Sequence, residues 1–327
     1  VNAEAETTNS ARPRFSPEVA YQAARLYYEQ EATQADIAQA LSVSRPTVSR
    51  LLAEARRLGI VRIEVVDPRG DERAELAERL RRALGLEAVR VVPPVNLQHP
   101  GPDLAPAVGE AIAAMNLAPG DVLLLSSGRT VYEIVRQPLP RMAGVQLVPG
   151  VGGMSEPVAW FQTNEISRQA AERTGAFPAF VFAEALPTAS MRRSLDDDPS
   201  FQHVTGMWRR ASGAVLGIGA PTASRETVSR FVAADASYFT YAVGDVCMNF
   251  FDIDGDPLEF PGSDRMVRTP RTVLQAMPHT VGVAVGLEKV TSIIGAARAR
   301  LVRELVTDGP TARAVLQHLA RHGRSAE

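Results

Sequence analysis

Two sets of polar residues stand out by type and spacing. In the first, Ser44, Arg45, Thr47, Ser49 and Arg50 crowd the start of the segment RPTVSRLLAEARRL, on the outward side of Val48 and Leu51. Arginine grips guanine edges bidentately and short hydroxyls reach bases or phosphates, so this set suits a DNA major groove. Five arginines and one acid, Glu54, fall between Arg45 and Arg62, a local positive patch suited to phosphate contact. In the second set, small and polar loops follow apolar runs. They are Ser126-Ser127-Gly128-Arg129-Thr130 after DVLLL, Pro149–Gly153 with Gln162-Thr163-Asn164-Glu165 beyond it, Gly244-Asp245, and Gly286-Leu287-Glu288-Lys289. Backbone N–H groups at strand-to-helix turns attract anions. With the Asp245 carboxylate and the Lys289 ammonium they suit a polyol phosphate, charge and donors for the phosphate, carboxylate and amide for the hydroxyls. Lys289 is the only lysine in the chain, and an ammonium kept against that bias suggests a need for a compact charge on a flexible stem.

The first set must ride on a helix that follows another helix closely. Ser16-Pro17-Glu18 opens a helix with a cap, a proline at its first position and an acid in its first turn. Thr33 caps a second helix, QADIAQAL, and Ser44 caps the third, which stops at Gly59. Ile37, Leu41, Val43, Val48 and Leu51 supply the apolar contacts of a helix-turn-helix, with Ala38 at the close approach and Ser42 where glycine is commonest. Ile60–Val66 alternates as a short strand. One such module buries too little surface for tight operator binding, so a homodimer or homotetramer is expected on double-stranded DNA.

The second set needs a sheet. After the linker Asp67–Gly70, an amphipathic helix over Asp71–Leu84 carries Leu76, Leu80 and Leu84 on one stripe, free either for assembly or for packing on its own domain. From about Val89, short apolar runs alternate with helical patterns: 121–128, 145–150, 213–219, 280–286 and 301–308 read as strands. That alternation predicts an α/β fold, a doubly wound and mostly parallel sheet covered by helices on both faces. Asp254-Gly255 reads as a hairpin turn. The expected organisation is an arm over 1–14, a helix-turn-helix domain over 15–66, a linker and helix over 67–88, and an effector domain over 89–322.

Composition removes several classes. With 327 residues, 45% hydrophobic and 22% charged, the chain has material for two globular domains. A single cysteine, Cys247, leaves no intramolecular disulfide and no multi-cysteine zinc site. No signal-like or membrane-length apolar run is seen, so the expected location is the cytoplasm, with no membrane partner. No cofactor and no metal is called for. The run Asp252/Asp254/Asp256 partly imitates a calcium loop, but Pro257 follows where glycine is required.

The layout resembles the SorC/DeoR-type sugar-binding regulators, whose effector domain is similar in fold to sugar-phosphate isomerases. The resemblance is carried by DIAQALSVSRPTVSRLLAEARRLGIVRIEV, GDVLLLSSGRTVYEIV, QLVPGVGG with QTNEI, VGDVCMNFFDIDGDPL and VGVAVGLEKVTSIIGAARARLVRELVTD. It implies a DNA-binding regulator controlled by a small sugar or sugar phosphate. It carries the family's effector-contacting loops onto Ser127, Gly128, Arg129, Thr130, Gly152, Gly153, Gln162, Asn164, Asp245 and Lys289. Gly286-Leu287 departs from the paired small glycines common before the lysine segment, and Phe177–Thr205 matches no anchored pattern. The rival reading is an isomerase or deaminase fused to a DNA-binding module. Asp245 is its candidate base, yet His99, His203, His279, His318 and His322 share no spacing. An architectural DNA protein without a ligand leaves the large domain with no use.

Overall fold

Ser16, Thr33 and Ser44 each start a helix. Their hydroxyls accept the N–H of Glu18, Asp36 and Thr47, groups that a helix start would otherwise leave unpaired. At Thr33 the pairing is reciprocal, because the Asp36 carboxylate accepts the Thr33 N–H at 3.1 Å. The helices are α1 (Pro17–Tyr28), α2 (Gln34–Ala40) and α3 (Arg45–Arg57). A computed structural model describes residues 16–61, 70–154, 158–221 and 236–322, and the chain divides into two units between Pro68 and Arg69.

In the first unit, Ala20, Ala23, Ile37, Val48, Leu51 and Ala55 are fully buried, and Ala38, Leu41 and Val43 pack around them. Ser42 takes a φ of +53°, the left-handed conformation that makes glycine the usual residue at this turn. Ile60 and Val61 fold back to donate to the Ala55 carbonyl. The rest of the expected strand, 62–66, and the arm 1–14 lie outside the described residues.

The second unit opens with α4 (Gly70–Leu84), β1 (Ala88–Val92), α5 (Gly101–Ala114), β2 (Val122–Leu125), α6 (Arg129–Val135) and β3 (Gln146–Pro149). It continues through α7 (Thr163–Thr174), β4 (Phe177–Pro178), α8 (Ala189–Asp196), α9 (Pro199–Arg210) and β5 (Gly213–Gly217). Then come β6 (Gly244–Val246), β7 (Asn249–Phe251), α10 (Arg271–Ala276), β8 (His279–Val283), α11 (Val290–Arg298), β9 (Glu304–Asp308) and α12 (Gly309–His322). Seven strands form one sheet in the order β1-β9-β8-β5-β2-β3-β4, every pair parallel. Alternate side chains serve opposite faces. Leu123 and Leu125 join the core beneath α5, α6 and α7, while Leu124 and Leu216 join the core beneath α4, α9, α11 and α12. Residues of β6 and β7 pair antiparallel as a separate hairpin.

The leucine stripe of α4 packs on its own unit. Leu80 is fully buried and Leu76 nearly so, both within the core beneath α12, so this helix is integral to the sheet domain and not a linker element. Leu80→Ala is therefore expected to lower stability by roughly 2–5 kcal/mol through lost burial and a residual cavity. Thermal melting together with light scattering checks this. Lower mass at unchanged melting temperature would instead assign the stripe to assembly.

Candidate functional site

The strand order reverses beside β2. From β2 the chain moves through β3 and β4 to one edge, then returns to β5 on the other side and continues through β8 and β9. At such a point the adjoining loops part and leave a crevice outside the carboxyl ends of the strands. Ser126 stitches the two strand ends together. Its hydroxyl accepts the Gly217 N–H at 2.7 Å and its own N–H donates to the Val215 carbonyl at 3.1 Å. Just beyond lies a cavity of about 220 Å³. Ser127, Gly128, Arg129 and Thr130 line it from the β2–α6 loop, and Gly217–Gly219 from the end of β5. Asp245, Cys247 and Met248 enter from the hairpin, Lys289 from the turn before α11, and Trp160 and Phe161 from a 3₁₀ turn at Ala159–Phe161. Larger cavities of about 270 to 680 Å³ lie elsewhere in this unit, those of about 660 and 680 Å³ along α8 and α9, and none of them is lined by Ser127–Thr130, Asp245 or Lys289. Volume does not single this cavity out as the candidate; its place at the switch point of the sheet does.

Each polar group at the cavity has a local reason for its position. Gly128 takes a φ of +118°, closed to ordinary side chains, and its N–H donates to the Trp160 carbonyl at 2.9 Å. The Lys289 ammonium donates to the Ile218 carbonyl at 2.8 Å, which brings the charge to the end of β5. Asp245 is buried and accepts the Met248 N–H at 3.0 Å across the two-residue turn of the hairpin. Both turn residues are left-handed, Cys247 at +48° and Met248 at +59°, where Asn-Gly is the usual solution. Non-glycine residues held there store strain, which concentrates at ligand sites. Burial pushes the Cys247 thiol above its ordinary range, and the Asp245 charge adds to the effect, so the thiol stays protonated. Arg129 donates through Nε to Glu133 at 3.3 Å and through Nη2 to the Gln98 carbonyl.

Four residues carried over by resemblance do not line this cavity. Gly152 and Gly153 donate their N–H groups to the Val267 and Ala183 carbonyls, at 2.8 and 2.9 Å. A Cβ at Gly152 would meet the Ala183 carbonyl oxygen at 2.8 Å, so this glycine is explained by a close backbone approach. The Asn164 side chain accepts the Val181 N–H at 2.9 Å and donates to the Val181 carbonyl at 3.1 Å, which holds the segment after β4. Gln162 donates to the Met154 carbonyl at 3.3 Å and pins the loop that carries Trp160.

On α3, Arg45, Ser49 and Arg50 are exposed. The Ser44 and Thr47 hydroxyls lie 2.8 Å apart and are engaged in the cap, so they shape the helix start. Among the described residues neither Arg45 nor Arg50 takes part in an ion pair, whereas Arg57 is bound by Glu54 at 2.7 Å.

Comparison with known proteins gives two family matches. The family described as "Putative sugar-binding domain" matches residues 68–317, and the MarR family matches 16–74. The sorbitol operon regulator of Klebsiella pneumoniae is 30% identical over 303 residues, covering 90% of this chain and 96% of that protein. The deoxyribonucleoside regulator of Bacillus subtilis is 30% identical over 317 residues, covering 94% and 99%. The chain belongs to the SorC/DeoR family of sugar-binding transcription regulators. The crystal structure of the full-length Klebsiella pneumoniae SorC superposes with a TM-score of 0.75 at 29% identity, covering 92% of this chain and 99% of that one. For this SorC/DeoR regulator, reading the sequence missed Trp160, Phe161, Met154 and the Gly217–Gly219 corner. The last was within reach, because GAVLGIG is a strand followed by small residues, the same pattern that marked Ser127–Thr130. Trp160 offered only its presence in a polar loop.

Proposed function

We propose that the exposed start of α3, through Arg45, Ser49 and Arg50, reads a double-stranded operator, and that a small phosphorylated sugar in the β2/β5 cavity controls that reading. One observation carries the effector half. Ser127–Thr130, Asp245 and Lys289, from three distant stretches of sequence, line a single cavity at the switch point of the sheet. Its volume, about 220 Å³, is below the roughly 300–1,000 Å³ of sites for drug-sized ligands, which suits a metabolite of a few carbons. The ammonium and the loop donors take the phosphate, and the Asp245 carboxylate takes hydroxyls. The chain works as a sensor, a reading supported by relatives that are named operon and deoxyribonucleoside regulators. It acts in the cytoplasm as a homodimer or homotetramer, because one helix-turn-helix buries too little for tight operator binding. No described helix is long and apolar enough to cross a membrane.

Calorimetry and thermal melting of the full chain against a panel of sugar phosphates and free sugars test this. A ligand at a hundred times its Kd raises stability by about 2.7 kcal/mol, which a melting curve resolves easily. Heat and a melting shift with a phosphosugar support the proposal. Binding of free sugars alone keeps a sensor but rejects the phosphate, and no response from the whole panel rejects the site.

A further inference from the structure

This inference rests on the reading of the β2/β5 cavity as a phosphosugar site and concerns the form of that sugar. Two unlike kinds of side chain line the cavity. One is polar, with Ser127, Thr130, Asp245 and Lys289. The other is carbon and sulfur, dominated by Trp160 and Phe161, whose ring centroids are 6.3 Å apart and inclined by 58°. Met154 and Met248 add to the apolar kind, Met248 next to Asp245, whose carboxylate accepts its N–H at 3.0 Å.

Trp160 is fixed twice, by consecutive residues of the facing loop. The Gly128 N–H holds its carbonyl at 2.9 Å, and the Arg129 guanidinium carbon lies 5.8 Å from its ring centroid. A guanidinium at that distance is attracted by the electron-rich face of an indole. The same guanidinium is steadied from behind by Glu133 at 3.3 Å and by the Gln98 carbonyl. Arg129 is thus built into the support of Trp160, and the ring is a preorganised surface that a ligand need not order on arrival.

A ring-closed sugar matches a lining that mixes polar groups with aromatic rings, since it has an edge of hydroxyls and a face of C–H groups. An open-chain polyol phosphate with the same carbons has no apolar face. Against the rings and methionines some of its hydroxyls lose water and gain no partner, which is costly. We infer that the Trp160–Phe161 pair selects the ring-closed form of a phosphosugar over its open-chain polyol counterpart, with Arg129 as the positioning residue for Trp160.

The test is calorimetry on the full chain with two matched pairs, glucose 6-phosphate against sorbitol 6-phosphate and ribose 5-phosphate against ribitol 5-phosphate. In whichever pair binds more tightly, the sugar is expected to bind about tenfold more tightly than its polyol. Trp160→Ala should reduce that ratio to near one, while Trp160→Phe keeps most of it. Arg129→Gln should weaken the sugar more than its polyol and so lower the ratio, whereas loss of a phosphate contact alone would weaken both alike. Equal or tighter polyol binding by the wild type, or a ratio unmoved by Trp160→Ala, overturns the inference and leaves the phosphosugar reading standing. If none of the four compounds binds, that reading falls and the inference falls with it.

Discussion

Replacing Arg50 or Arg45 with alanine is expected to weaken operator binding at least about tenfold while leaving the melting temperature and effector binding unchanged. Both side chains are exposed on the first two turns of α3, the part of a recognition helix that meets base edges. A lost bidentate base contact costs roughly 1–3 kcal/mol, and in a dimer on two half-sites the loss is counted twice. Stability should hold within about 0.5 kcal/mol, because neither arginine is buried or joined to an ion pair among the described residues. The two modes of contact separate by salt. A base-reading arginine relaxes sequence preference at one position, whereas a phosphate-binding arginine lowers affinity uniformly and reduces the salt slope by about one. Fluorescence titration of a labelled operator and single-base variants, over a series of salt concentrations, reads both. If both variants bind as the wild type does, α3 is not the reading element.

What could be read from the sequence followed from local chemistry. The caps at Ser16, Thr33 and Ser44 each formed the hydrogen bond their residue type offers, so the helix starts were legible. Five of the seven sheet strands were legible as near-continuous apolar runs, VLLL and GAVLG among them, while β1 and β4 were not singled out. α5 was not, because Pro102 and Pro106 break the expected pattern, yet Leu104, Val108, Ala111 and Ile112 bury one face of a helix that tolerates them. α8 and α9 were also missed, although Thr188 and the Asp198-Pro199 pair carry ordinary start signals. Within the unanchored stretch Phe177–Thr205, Asp198 is a cap and Asp196 pairs with Arg192 at 3.0 Å. For the site, residue type was informative and placement was not. Gly152, Gly153 and Asn164 have the chemistry of ligand contacts, but whether an amide faces a cavity or a neighbouring carbonyl depends on pairings more than ten residues distant. Trp160 had the converse problem, since its role depends on the fold bringing Gly128 and Arg129 against it.

Lys289→Ala is expected to remove effector control while leaving operator binding in the absence of effector at wild-type strength. The ammonium reaches the cavity from the turn before α11 and donates to the Ile218 carbonyl at 2.8 Å, so its charge is fixed beside the end of β5. A hydrogen bond from a charged donor is worth about 1.5–3 kcal/mol, and losing it predicts an effector affinity lower by roughly ten- to 150-fold. Lys289→Arg keeps the charge and tests the shape. A planar fork cannot take the place of a compact ammonium that already spends one donor on a backbone carbonyl, and a cavity of about 220 Å³ leaves little room for the larger head. The arginine variant should therefore be impaired too, though less than the alanine variant if the phosphate is bound mainly by charge. Lys289 sits in the other unit from α3, so neither change touches a residue proposed to contact DNA. The deciding measurement is the change in operator binding against effector concentration for the three proteins, with thermal melting as the check on folding. Curves shifted to higher effector concentration, alanine furthest, support the ammonium as a ligand contact. Three superimposable curves would make the single lysine of this chain an accident of composition and would move the effector away from the end of β5.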